Sequence, residues 1–184
     1  GVVPDGATVT TELTLPAFGR IQGFVTTQGG APAEGVTITT AGRSAVSNAL
    51  GEFDLGALPL GTHQLLGSKP NGDRARENVT LTVLGATIHP LLKLNGIGAL
   101  TVHVRDAGGA DVIGAEVSVS SSSAFGGHYP GTTAAGGLVT FPQVLAGTLT
   151  VTASKNGLDG QETVLLQDGQ TLTLPVQLEP AGQV

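Results

Sequence analysis

Three features of the sequence predict an all-β fold arranged as two tandem β-sandwiches. Apolar residues alternate with Thr, Ser or Gln in short runs. Helical periodicity is almost absent. The pattern also repeats about every 80 residues along the chain. Period-2 alternation rich in β-branched residues and bounded by Gly, Pro, Asn and Asp is the mark of half-buried strands. Many short strands at regular spacing pack as a sandwich or barrel.

The strands read off in order. Val36-Thr37-Ile38-Thr39 and Val79-Thr80-Leu81-Thr82-Val83 fall in the first half of the chain. Leu100-Thr101-Val102-His103-Val104, Val117-Ser118-Val119, Leu149-Thr150-Val151-Thr152 and Leu172-Thr173-Leu174 fall in the second. Ile21 to Val25 aligns with Leu100 to Val104 at an offset of 79, and Gly35 with Gly114. Further along, Gly51-Glu52-Phe53-Asp54-Leu55 aligns with Gly137-Leu138-Val139-Thr140-Phe141 at an offset of 86. The change of offset places a seven-residue insertion in the second unit, within 120–131. Three segments are expected: an N-terminal strand region at 1–19, a first sandwich at 20–97 and a second at 98–184. Units of this size without disulfides have small cores, and end-to-end packing stabilises both.

A third, partial copy marks the N-terminus. Asp5-Gly6-Ala7-Thr8-Val9 up to Leu15-Pro16 resembles Asp168-Gly169-Gln170-Thr171-Leu172 up to Leu174-Pro175. Residues 7–15 therefore read as a domain-terminal strand with no domain before it. Such a strand exposes unpaired N–H and C=O groups and needs a partner.

Composition removes several classes of function. The 184 residues include no Cys, Met or Trp. Disulfides, thiolate metal sites and thiol nucleophiles are therefore absent. A chain without Met is not a primary translation product, so a processed, secreted piece beginning at Gly1 is expected. A net charge of −6 and a pI near 5.0 argue against an electrostatic grip on nucleic acid or anionic membrane. No apolar run approaches the roughly 20 residues of a membrane-spanning helix. An extracellular or cell-surface location is expected.

The landmarks of each unit point to a family. The first has an opening strand at 21–25, a turn with Pro32 and Gly35, a Val-x-Ile strand, a Gly51-x-Phe53 corner and a Leu58-Pro59-x-Gly61 turn. This resembles the carboxypeptidase-regulatory-like, transthyretin-like (Ig-like) β-sandwich of secreted and surface proteins. The resemblance implies a seven-stranded Greek-key module with structural, adhesive or accessory roles and no catalytic residue. The second unit departs from it: Val102 stands in place of the opening Gly and Asp111 in place of the turn Pro.

Candidate chemistry is sparse. The four His, at 63, 89, 103 and 128, form no spaced pair, and His63 and His103 read as solvent-facing strand residues. No Gly-x-Ser-x-Gly elbow or phosphate-binding loop occurs. Asp5, Asp73, Asp106, Asp111, Asp159 and Asp168 sit singly in turns, where Asp ordinarily bonds its own backbone rather than calcium. An intramolecular Lys–Asn crosslink is rejected, because the first strand of each unit lacks a Lys. No catalytic residue, metal site or cofactor is predicted.

Three other features are singled out. The insertion carries Phe125, His128 and Tyr129, a candidate partner-binding loop set against the alternative that the aromatics cap the sandwich edge. Asn78-Val79-Thr80 has the form of a glycosylation sequon, with Asn78 as the acceptor for covalent glycans. Val9, Leu13 and Leu15 are the expected anchors of a self-assembly strand.

The leading expectation is a structural subunit of an extracellular, fimbria-like filament. It is a homopolymer assembled head to tail by adding the N-terminal strand to a neighbour's sheet. One alternative is a stalk segment of a long tandem-repeat surface adhesin. Another is an accessory or sugar-binding module of a secreted hydrolase.

Overall fold

The computed structural model describes residues 17–180, which fold into two β-sandwiches in series. The first contains β1 (Phe18–Thr26), β2 (Thr37–Thr40), β3 (Arg43–Val46), β4 (Glu52–Pro59), β5 (Gly61–Ser68), β6 (Arg74–Leu81), β7 (Thr87–Ile88) and β8 (Leu91–Lys93). The second contains β9 (Ile97–Asp106), β10 (Glu116–Ser121), β11 (His128–Thr132), β12 (Leu138–Leu145), β13 (Gly147–Lys155), β14 (Leu158–Leu166) and β15 (Thr171–Pro180).

In the first sandwich, one sheet has the order β3-β2-β5-β6. The other pairs β4 with β1 and sets β7 and β8 along the far side of β1. The two short strands are one strand interrupted at Pro90, whose carbonyl still accepts the Phe24 N–H at 2.9 Å. In the second sandwich the corresponding strand, β15, is continuous and pairs with β9 over eight residues. There β14 and β15 also pair at Asp159↔Glu179, joining both sheets in the order β11-β10-β13-β14-β15-β9-β12. In each sandwich the last strand runs parallel to the first.

Alternation fills two separate cores. Ile21, Val25, Val36, Ile38, Leu65 and Leu92 pack inside the first, and Leu100, Val104, Val117, Val151, Val176 and Leu178 inside the second. The aromatic residues explain why the second unit departs from the repeat. A Cβ on Gly23 would come within 2.6 Å of the Phe53 ring, so glycine there makes room for that ring. In the second sandwich the ring belongs to Phe141, two positions further along, and Gly131 leaves room for it at 2.9 Å. Position 102 is thereby free to carry a buried Val.

The repeated corner glycines have an equally direct cause. Gly51 and Gly137 both have positive φ, 76° and 66°. A Cβ on either would sit 2.4 or 2.5 Å from the carbonyl oxygen of Val25 or Val104. Those carbonyls also accept the N–H groups of Ala33 and Val112. Beside each corner a buried hydroxyl joins the neighbouring segments. Ser47 Oγ donates to Ala33 O at 2.7 Å and accepts from Val36 N at 2.9 Å. Thr133 Oγ1 does the same with Val112 O and Ala115 N.

The insertion lies where the offset change places it. The hairpin from Glu116 to its partner Thr132 is seven residues longer than the one from Thr37 to Val46. Two expectations are corrected. The strand expected through Val83 ends at Leu81, because Gly85, at φ 74°, turns the chain and donates its N–H to Phe18 O. His63 faces inward rather than toward solvent. The alternation of β5 buries His63, Leu65 and Gly67 together, and the imidazole Nε2–H donates to Pro59 O at 2.8 Å.

Gly51→Ala combines left-handed backbone with a steric clash. It is expected to destabilise the first sandwich by at least about 1–3 kcal/mol, read from the midpoint of urea unfolding.

Candidate functional site

The arrangement with functional weight is the junction between the sandwiches, together with the two outer ends of the pair. Because β8 runs parallel to β1, the chain leaves the first sandwich at the end opposite its entry. The second sandwich begins there, after the linker residues Asn95 and Gly96.

Both sandwiches bond the linker. Asn95 N donates to Arg74 O at 2.8 Å. Asn95 Nδ2 donates to Ala146 O at 3.0 Å across the junction, and Ala146 N returns a bond to Gly96 O at 3.0 Å. Gly96 N donates to Asp73 Oδ1 at 2.8 Å, and Ile97 N to Asp168 Oδ1 at 3.1 Å. Asp168 N reaches Gln28 Oε1 at 3.4 Å. Gly96 has φ 88°, and a Cβ there would lie 2.7 Å from Asp168 Cβ. The linker is therefore gripped from the first sandwich by Asp73 and Arg74 and from the second by Ala146, while Gln28 and Asp168 bond each other across the junction.

Asp73 is buried, and burial pushes its carboxyl above the ordinary carboxylate range. The N–H groups of Gly96 and Arg74 partly oppose this. The nearby Asp168 charge raises it further, while Lys69 lowers it. Sequence reasoning missed this residue, because an Asp beside Asn71-Gly72 reads as a turn former. It fills that role too, accepting the Arg74 N–H at 2.8 Å.

The insertion loop reaches the same junction. Phe125 is half-buried, with the Arg76 guanidinium 5.6 Å from its ring centroid, a cation–π contact between the sandwiches. The Tyr129 hydroxyl accepts the Leu145 N–H at 3.0 Å, and its ring packs on the second core. His128 is exposed on β11, with Nδ1 3.3 Å from Ser118 Oγ. The structure thus separates the three loop residues and gives both aromatics intramolecular partners. Asn78 is exposed on β6, an edge strand. Val9, Leu13 and Leu15 lie outside the described residues.

His103 is outward-facing, as its place on the strand implies, but paired. Its Nε2 is 2.7 Å from Asp111 Oδ1, and this bond holds the Asp111 carboxyl below its usual range. Among the described residues no three His, Asp or Glu side chains converge as a metal site. No helix among them is long and apolar enough to cross a membrane.

Sheet edges complete the picture. Among the described residues β12 and β11 each have a partner on one side only. Pro130 on β11, and Pro142 with the bulge between Phe141 and Val144 on β12, limit further pairing there. The stretch of β12 from Leu138 to Phe141 is free of both.

The family model for the carboxypeptidase regulatory-like domain matches the chain twice, over residues 20–89 and 99–179. No curated protein sequence matches it. Among solved structures it is similar to the Bacillus anthracis TIE protein, with a TM-score of 0.41, 18% identity and coverage of 88% of this chain and 34% of that one. A streptococcal ancillary pilin gives a TM-score of 0.50 at 15% identity, covering 90% of this chain and 63% of the pilin. The minor pilin GBS52 of Streptococcus agalactiae gives 0.46 at 13% identity, covering 89% and 98%. The chain thus spans about a third of the first of these proteins and under two thirds of the second. At such identities the likeness is one of fold.

Asp73→Ala leaves two N–H groups without their acceptor. It is expected to cost about 1–3 kcal/mol and to loosen the junction, measured by urea unfolding and by small-angle scattering. The pH dependence has a definite sign. A carboxyl whose pKa is raised by folding binds its proton more tightly in the folded state, so stability from this group falls as pH rises above the ordinary value of 3.8. Asp73→Asn keeps the Oδ1 acceptor and removes the charge. The stability of the parent relative to this variant is expected to decline as pH rises from 3.8 through the raised pKa, then level off.

Proposed function

Since the chain belongs to the carboxypeptidase regulatory-like domain family, in two tandem copies, we propose that it is a structural subunit of an extracellular, pilus-like surface fibre. The observation that carries this reading is the junction: two sandwiches joined end to end, with the linker bonded from both sides. A passive, force-bearing role needs such a connection and no reactive group. The fold shared with a streptococcal ancillary pilin supports the same class of role.

Assembly proceeds by strand addition. Residues 7–15 of one subunit lie along a neighbour's sheet and gain a ladder of backbone hydrogen bonds. Val9, Leu13 and Leu15 are the anchors. In both sandwiches the place beside the first strand is already filled, by β7 with β8 and by β15. The incoming strand therefore extends an edge rather than replacing a missing strand. The chain enters its first sandwich at the outer end, so this segment reaches back to the second sandwich of the preceding subunit. There the Leu138 to Phe141 stretch of β12 is the acceptor.

A second reading is a stalk segment of a longer tandem array. It is favoured by the likeness of Leu178-Glu179-Pro180-Ala181-Gly182 to Leu15-Pro16-Ala17-Phe18-Gly19, the lead into another sandwich.

The full chain is expected to form filaments visible by negative-stain electron microscopy as concentration rises. Leu13→Pro, which removes a ladder donor in the added strand, is expected to abolish them while leaving the unfolding midpoint unchanged. A chain that stays monomeric at high concentration contradicts the fibre reading.

A further inference from the structure

The internal junction supplies a template for what the two outer ends contact. Where the sandwiches meet, the turn before β15 faces the turn after β1, and Asp168 N bonds Gln28 Oε1. Both positions have counterparts at the outer ends. At the entry end, Leu84 occupies the place of Asp168, each followed by a glycine of positive φ, Gly85 at 74° and Gly169 at 71°. At the exit end, the offset of 79 puts Ala107 in the place of Gln28 and Ile113 in that of Glu34.

The replacements go the same way at both ends. A polar pair inside the chain, Asp168 with Gln28, becomes an apolar pair outside it, Leu84 with Ala107. The entry end also exposes Phe18 and Val83; Leu84 is 70% exposed, and Ile113 at the exit end is 56% exposed. An isolated sandwich gains nothing from apolar residues at turn tips, where polar side chains are favoured. Two ends that lose polarity at mutually facing positions fit each other.

We propose that the exit end of one copy of this chain seats the entry end of a second copy, in an apolar version of the internal junction. Leu84 packs over Ala107, with Phe18 and Val83 against the Ile113 side. The contact is heterologous, so it extends in one direction and leaves a free end at each side of the assembly. This deepens the fibre reading and rests on its end-to-end order, but not on strand addition.

The chain has no Cys, so the contact can be tested by engineered disulfides. Full-length Leu84→Cys and Ala107→Cys chains are purified separately, mixed and oxidised. A disulfide forms readily only where Cα atoms approach within about 7 Å. The expected result is a heterodimer as the dominant product, and a ladder of multimers from the double variant. Leu84→Cys mixed with Gln64→Cys, exposed on β5, is the control. Cross-linking no greater than in that control overturns the proposal, as does a dominant Leu84→Cys homodimer. Repeating the mixture in the Leu13→Pro background separates the two ideas. Heterodimer that survives there supports end seating even if the parent chain forms no filaments. Its loss overturns end seating as an independent contact.

Discussion

The parallel pairing of each sandwich's last strand with its first governs everything else in this molecule. An antiparallel last strand would return the chain to the end where it entered. Here β8 beside β1, and β15 beside β9, carry it out at the opposite end. The second sandwich then follows at the exit end of the first, where the turn after β1 meets the turn before β15. That the second sandwich begins at the far end of the first follows from strand direction before any junction contact is considered.

What the junction adds is fixity. Two short linker residues could act as a hinge, yet the backbone groups of Asn95, Gly96 and Ile97 are bonded to Arg74, Asp73, Ala146 and Asp168. Bending the joint would break several of these bonds together, each worth about 0.5–1.5 kcal/mol net. The Arg76–Phe125 contact at the side adds a further tie. The cores contribute through shape rather than chemistry. Aliphatic strands pack with one facing glycine per buried Phe ring, and every buried polar side-chain atom among the described residues has a partner.

Much of the fold is legible in the sequence because its signals are local and repeated. Alternation marks most strands, and the shift of offset from 79 to 86 locates the longer β10–β11 hairpin. Gly51 and Gly137 stand out as landmarks because both avoid a nearby carbonyl. The parts that escape the sequence depend on contacts between distant residues. Asp73 looks like an ordinary turn former, since its second partner, Gly96, lies 23 residues away across the linker. His63 is different: its acceptor, Pro59 O, lies only four residues back, and alternation with Leu65 already places it on the inner face. Phe125 looks like a free loop aromatic until the stacking of the sandwiches brings Arg76 beneath it.

The central claim is that this chain is an end-to-end two-sandwich unit that continues itself in the same direction. The most direct measurement is the axial repeat of its assemblies by cryo-electron microscopy. A ten-residue strand such as β15 spans about 33 Å. Two sandwiches in line should therefore give a repeat of roughly 65 Å per subunit. A repeat near that length, with both sandwiches on the fibre axis, is the predicted result. Closed rings, or a repeat near a single strand length with subunits stacked side by side, would contradict it.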